Sequence, residues 1–324
     1  MPLCVCLNNK RQSRVKPLDK KMTNGANYDK LELMREIQLI QIYDTVCYHY
    51  DSTLSNEAQR LTNNFCPKFT DAECIATYIF GIANQKFNNK ACYEFIFIKD
   101  FYPGWFPDMP GHKAYNARIC YLADTIKALA GILLCGLGFN GSHADFVMDS
   151  MPIVVAGHKR SSKAKAAAEI CSKGYCASKG IWYYGAKLHI LAQRNYKTMP
   201  TPAAMMTSKA SVHDIDIGEE MLFDVHNIRV FCDMAYANKH WQDLMLTKNN
   251  VTIVTPIKRS KGQEQLSCAD KLFSRAVSSV KQTIESLNNW LIEKTNIQRA
   301  SKVRSAAGLT AFVFARVACG CLVF

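Results

Sequence analysis

Apolar positions fall at helical spacing through the first third of the chain and at strand-like spacing after it. Leu33, Ile37, Ile40, Tyr43 and Cys47 lie at offsets of four, seven, ten and fourteen, which makes one apolar helix face. Thr70-Asp71-Ala72-Glu73 has the form of a capping box and predicts a helix running on toward Asn84. Another helix is expected from Lys90 to Lys99, before the Pro103-Gly104 break, and Met109-Pro110-Gly111 opens a long one reaching about Leu134.

From about residue 144 the pattern changes. Phe146 to Pro152 reads as a first strand, with Asp149 closing its apolar run and standing at its end. Trp182 to Ala192 alternates, with Tyr184, Ala186, Leu188 and Ile190 on one face and Lys187 and His189 on the other. Ala203 to Ser208, Ile228 to Asp233 and Val251 to Thr255 read as further strands, with helices at Ile217 to Asp224 and Asn238 to Thr247. A meander followed by strands alternating with helices predicts a mixed sheet covered on both faces. A last long helix, Ser274 to Lys294, carries Val277, Val280, Ile284, Leu287 and Leu291 as a core stripe. Lys281, Glu285 and Asn288 form the row beside that stripe. Ala306 to Phe324 is barely of membrane-spanning length and contains Arg316, so a buried C-terminal helix is expected there.

Charge changes the picture. Forty basic residues against 27 acidic give +13, which points to a polyanionic partner, nucleic acid before an anionic membrane surface. Residues 1–30 read as a flexible basic arm, residues 31–141 as a helical domain of a kind that often binds DNA, and residues 142–324 as a mixed α/β domain closed by C-terminal helices. Three basic groups could track a phosphate backbone: Lys159 and Arg160; Lys258 and Arg259; Arg299, Lys302 and Arg304. A solvated face has the same composition. The 14 cysteines lack a zinc-site spacing, and a chain this long has no need of disulfides, so reduced thiols and a cytoplasmic location are expected.

The acids supply candidate chemistry. Asp233 closes the fourth strand as Asp149 closes the first, so neighbouring strands would bring the two together; Glu285 can lean over the sheet edge from its helix. Close carboxylates repel, and two Mg²⁺ or Mn²⁺ ions relieve that repulsion, since hard cations prefer oxygen ligands. Such a pair serves phosphodiester chemistry.

Six blocks in order resemble the DDE transposases of bacterial insertion sequences, a compact subgroup with no large insertion domain. Asp149-Ser150-Met151-Pro152 is similar to the first-acid block, and Lys179-Gly180 through Tyr184-Gly185-Ala186-Lys187-Leu188-His189 to the glycine-then-KLH strand. Ser211-Val212-His213-Asp214 resembles an N-V-H-D turn, and Asp233-Met234-Ala235-Tyr236 a D-x-G-Y block with Ala235 in place of Gly. Lys281 to Asn288 resembles the helix around the Glu, with Lys281 where Arg is usual and Ile292 where a basic residue is expected. Met109 to Arg118 is similar to a stretch found ahead of the first acid.

The resemblance implies an RNase H-like α/β domain behind an all-helical N-terminal one. It implies Asp149, Asp233 and Glu285 as catalytic metal ligands, with Lys281, His213, Lys187 and Tyr236 in support. The implied partner is double-stranded DNA, both the element's terminal inverted repeats and the target, bound by a homodimer near the nucleoid. Two other readings stay open, a metal-dependent nuclease of the same fold and a non-catalytic DNA-binding relative.

Overall fold

The computed structural model describes residues 26–58, 67–97, 104–137 and 145–324. Residues 1–25 of the expected arm, the Lys99 and Pro103 end of the third predicted helix and the 141–144 boundary lie outside them.

Five helices come first: α1 (Ala26–His49), α2 (Asp71–Ala83), α3 (Asn89–Phe97), α4 (His112–Tyr121) and α5 (Ala123–Gly136). The Thr70 hydroxyl accepts from the Glu73 amide, and the Glu73 carboxylate accepts from the Thr70 amide, so the capping box is complete. Residues 26–30, expected in the arm, belong to α1.

Two helical expectations are corrected. The apolar face read on α1 turns outward at Leu33, Ile37 and Ile40 and meets the core only at Tyr43 and Cys47, while Leu39, Ile42 and Val46 are buried. Both faces of α1 are apolar, so spacing alone could not tell which one turns inward. The single helix expected from Met109 to Leu134 is two, bent by 60° between α4 and α5. At the elbow the Leu122 amide donates back to Arg118, while the Leu122 side chain is fully buried and pins the bend in the core. Arg118 in turn donates to Asp71 at 2.7 Å and to the Phe69 carbonyl, tying α4 to the start of α2.

The sheet contains β1 (Asp145–Ala156), β2 (Ser172–Cys176), β3 (Ile181–Gln193), β4 (Thr201–Lys209), β5 (Arg229–Phe231) and β6 (Thr252–Val254). β3 lies antiparallel to β1. Its other edge is shared, β2 pairing Ile181 to Gly185 and β4 pairing Ala186 to Gln193. On the far side of β1, β5 and then β6 run parallel to it. Four antiparallel strands, β1 to β4, followed by two parallel ones, β5 and β6, and flanked by helices, make the mixed sheet compatible with an RNase H-like fold.

β1 continues through Pro152 to Ala156, so Asp149 lies mid-strand and not at a strand end. Beyond Val147 the strand has lost its β5 neighbour, so a proline without an amide hydrogen is tolerated there. β2 was not expected, because a short strand built on Ser172, Gly174 and Cys176 carries no apolar alternation. Gly185 fixes the β1–β3 approach, since a Cβ there would lie 1.9 Å from the Ile153 carbonyl oxygen.

Helices cover both faces. Met148, Val230 and Cys232 pack with Met221, Trp241 and Met245 of α6 (Asp214–Met221) and α7 (Lys239–Asn249). Val147, Met151, Ile153, Leu188 and Phe231 face α8 (Cys268–Thr295) and α9 (Ala306–Val323), in one core continuous with α2 to α5. α9 is the described helix long and apolar enough to cross a membrane, and most of it is buried in this core. Arg316 on α9 is fully buried and donates to the carbonyls of Thr295, Phe312 and Phe87 at 3.0, 3.0 and 2.7 Å.

Candidate active site

The parallel register brings the first two acids together. Val147 lies opposite Phe231, an offset of 231 − 147 = 84, and the acids are separated by the same number, 233 − 149 = 84. Each acid is two residues past its paired position, so alternation puts both carboxylates on the face that carries Val147 and Phe231. That is the face α8 covers.

From α8, Lys281 and Asn288 reach Asp149. The Lys281 ammonium stands 3.6 Å from Asp149 and 3.2 Å from Asp233, and the Asn288 amide donates to Asp149 at 3.1 Å. Glu285 lies between them on the same helix row, four residues after Lys281 and three before Asn288. All five side chains line one cleft with a cavity volume of about 510 Å³. Glu285 is exposed at its rim, and among the described residues no three His, Cys, Asp or Glu side chains are gathered closely enough for a finished ion site.

Electrostatics follow from that geometry. Burial pushes the Asp149 carboxyl above the ordinary carboxylate range, opposed by Lys281 and assisted by Asp233. Burial pulls the Lys281 ammonium down, but Asp149, Asp233 and Glu285 together outweigh it and hold it above its usual value. The spot between the two Asp residues therefore already accepts a cation. Its donors are oxygens, and the Asn288 carbonyl oxygen is buried there without a hydrogen-bond partner. This donor set fits a hard divalent ion, with an ammonium now standing in for it.

The supporting residues divide. Lys187 lines the cleft, donating to the Asp214 carboxylate at 2.8 Å and the Val212 carbonyl at 2.9 Å. Tyr236 also lines it, its hydroxyl buried and without a partner; burial first, then the charge of Asp214, holds its phenol above the usual range. His213 is exposed and absent from the cleft wall, standing at the N-cap of α6. His189 is fully buried with its Nε2 2.8 Å from the Ser208 hydroxyl, and burial pulls its pKa down to about 4. Ala235 sits in a short 3₁₀ turn, Met234–Tyr236, and is not among the positive-φ residues, so the turn needs no glycine. Ile292 lines the cleft where a basic residue was expected, while Lys179 lines it from the β2–β3 turn and donates to Gln298 at 3.1 Å. Asn288, Lys179, Asp214 and Gln298 were missed as site residues. Asn288 carried a signal in its place on the Lys281–Glu285 row, and Lys179 and Asp214 each stand in a block of the family resemblance; Gln298 carried none.

Lys159, Arg160, Lys258, Arg259, Arg299, Lys302 and Arg304 are all exposed. Arg299 is the nearest in sequence to the cleft wall, adjoining Gln298 where the chain bridges to Val154 of β1. The described cysteines are all free thiols.

Fold and site together define an α/β protein with an RNase H-like sheet and a cleft carrying acids and lysines just beyond the point where the parallel pairing of β1 and β5 stops. The family described as transposase DDE domain matches residues 142–305, half of the chain, and the protein belongs to that family. No curated protein and no solved structure matches it.

Proposed function

We propose that this protein is an insertion-sequence transposase that cuts the ends of its own element and joins them to target DNA. One observation carries the reading: strand register and one helix row bring Asp149, Asp233 and Glu285 round a single cleft, with a cation already between two of them. Asp149, Asp233 and Glu285 would hold two Mg²⁺ or Mn²⁺ ions, with the Asn288 carbonyl beside them. The chemistry such ions supply when bound is activation of an attacking oxygen and stabilisation of the leaving one.

The chain's own residues do the rest. Lys281 neutralises the acids in the resting cleft and turns toward a substrate phosphate when released from them. The Lys187–Asp214 pair holds the α6 side of the cleft in place, and Lys179 faces the substrate backbone from the opposite side. Tyr236 offers a hydroxyl donor to a phosphate oxygen. His213 takes no position in this scheme beyond the start of α6. The exposed basic groups, Arg299, Lys302 and Arg304 above all, hold flanking DNA, and the helical region contributes to the same binding surface. Two protomers hold paired element ends.

The test is a strand-transfer assay in Mg²⁺, using precut duplexes taken from the DNA that flanks the reading frame. Joined products from the parent protein, lost in Asp149→Ala with DNA binding retained, support the reading. Cleavage without joining would make the protein a nuclease. Binding with neither activity in the parent protein would make it a non-catalytic relative.

A further inference from the structure

α1 presents a second apolar face that is left exposed among the described residues. Leu33, Met34, Ile37 and Ile40 are 56%, 59%, 45% and 50% exposed, while Leu39, Ile42 and Val46 on the opposite side anchor the helix to the core. At 100° per residue the four exposed side chains fall within about 60° of Ile37, one continuous stripe. Lys30 and Asp44 stand at its two ends, each seven residues from Ile37 and each exposed. Contiguous exposed apolar surface of this kind marks an interaction site more often than chance.

We infer that this stripe is a homodimer interface, two α1 helices packing antiparallel about a two-fold axis through Ile37. Ile37 then meets its own copy, and Met34 meets Ile40 of the second copy. Lys30 meets the opposite charge of Asp44 at both ends of the contact. A parallel pairing would instead set Lys30 against Lys30 and Asp44 against Asp44, so the charges select both the occupant and its direction. An isologous contact is the ordinary way one patch is used twice. The stripe from Lys30 to Asp44 is about 21 Å long, so the contact is at the small end of stable interfaces and the dimer is concentration-dependent. This deepens the dimeric part of the proposed function, yet it is tested without DNA or metal and can fail while the catalytic reading stands.

The experiment measures mass by light scattering on the full chain at protein concentrations up to about 100 µM, a range in which weak dimers are populated. The parent should dimerise, and Ile37→Glu, which sets two like charges on the axis, should be monomeric. Lys30→Asp should raise the dimer dissociation constant about tenfold, and the double variant Lys30→Asp/Asp44→Lys should restore it. Unchanged helical circular dichroism in each variant establishes that the fold is kept, as expected for side chains already facing solvent. A monomeric parent, or dimerisation indifferent to Ile37→Glu, overturns the inference. So does a single charge reversal that the double one fails to rescue. If residues of the same chain cover the stripe instead, Ile37→Glu will lower the melting temperature of a monomer without changing its mass, which also overturns it.

Discussion

Replacing Lys281 by Met removes the ammonium that touches both Asp149 and Asp233. Breaking a fully buried pair costs about 3–5 kcal/mol, and because Asp233 is half exposed here the loss should be roughly 1–2 kcal/mol. With an unfolding entropy of about 2.1 cal/mol/K per residue over 324 residues, that lowers the melting temperature by roughly 1.5–3 °C. The loss must depend on pH in a definite direction. Asp149 already titrates above the unfolded value, so its contribution is fully present below the ordinary carboxylate pKa and is lost as pH rises through the folded one. Without Lys281 that folded pKa climbs further, so the variant is penalised at neutral pH and little at about pH 3, below the ordinary carboxylate pKa, where the carboxyl is protonated in the folded state and mostly so in the unfolded one. Mn²⁺ should then stabilise the variant more than the parent, because no ammonium has to leave; an ion at a hundred times its dissociation constant adds about 2.7 kcal/mol. Scanning calorimetry at the two pH values, with and without Mn²⁺, reads every part of this. A loss independent of pH, or equal metal responses in parent and variant, would refute the reasoning.

Three other outcomes follow from the packing. Arg316→Leu should cost about 2–4 kcal/mol in urea unfolding, because the carbonyls of Thr295, Phe312 and Phe87 lose a buried donor; a loss under 1 kcal/mol would contradict that role. Gly185→Ala should fail to fold or lose more than about 3 kcal/mol, since its Cβ would lie 1.9 Å from the Ile153 carbonyl oxygen; normal soluble yield and melting would show that β1 and β3 can separate there. The His189 imidazole should stay neutral down to about pH 4, so NMR should show no titration of this ring between pH 5 and 8. Its folded pKa is depressed, so the stability it contributes is present above about 6.5 and lost as pH falls toward the folded value; a ring titrating near 6.5 would be incompatible with its burial.

Much of the candidate site's geometry was legible in the order of residues because it is periodic. Two acids at the same offset as the parallel register, and a third group on one helix row, need only alternation and helical spacing to be brought together. The mixed sheet was legible for the same reason, in the apolar runs of β1, β3, β5 and β6. What escaped depends on tertiary context. The extent of β1 through Pro152 depends on which edge has lost its partner, and β2 exists only because β3 offers it an edge. The elbow at Leu122 contains no proline or glycine and is set by burial of one leucine. The inward face of α1 could not be chosen between two apolar faces. Lys281, expected only in support of the acids, bridges two of them, a pairing that needs the cleft to be assembled first.

The central claim is that oxygens of Asp149, Asp233 and Glu285 hold divalent ions in one cleft. Anomalous diffraction from crystals grown with Mn²⁺ and a DNA end tests it most directly. The account predicts two peaks roughly 4 Å apart, bounded by all three carboxylates, with the Lys281 ammonium withdrawn from between the Asp residues. Lys281 still seated against both acids, with no Mn²⁺ peak in contact with Glu285, would contradict it.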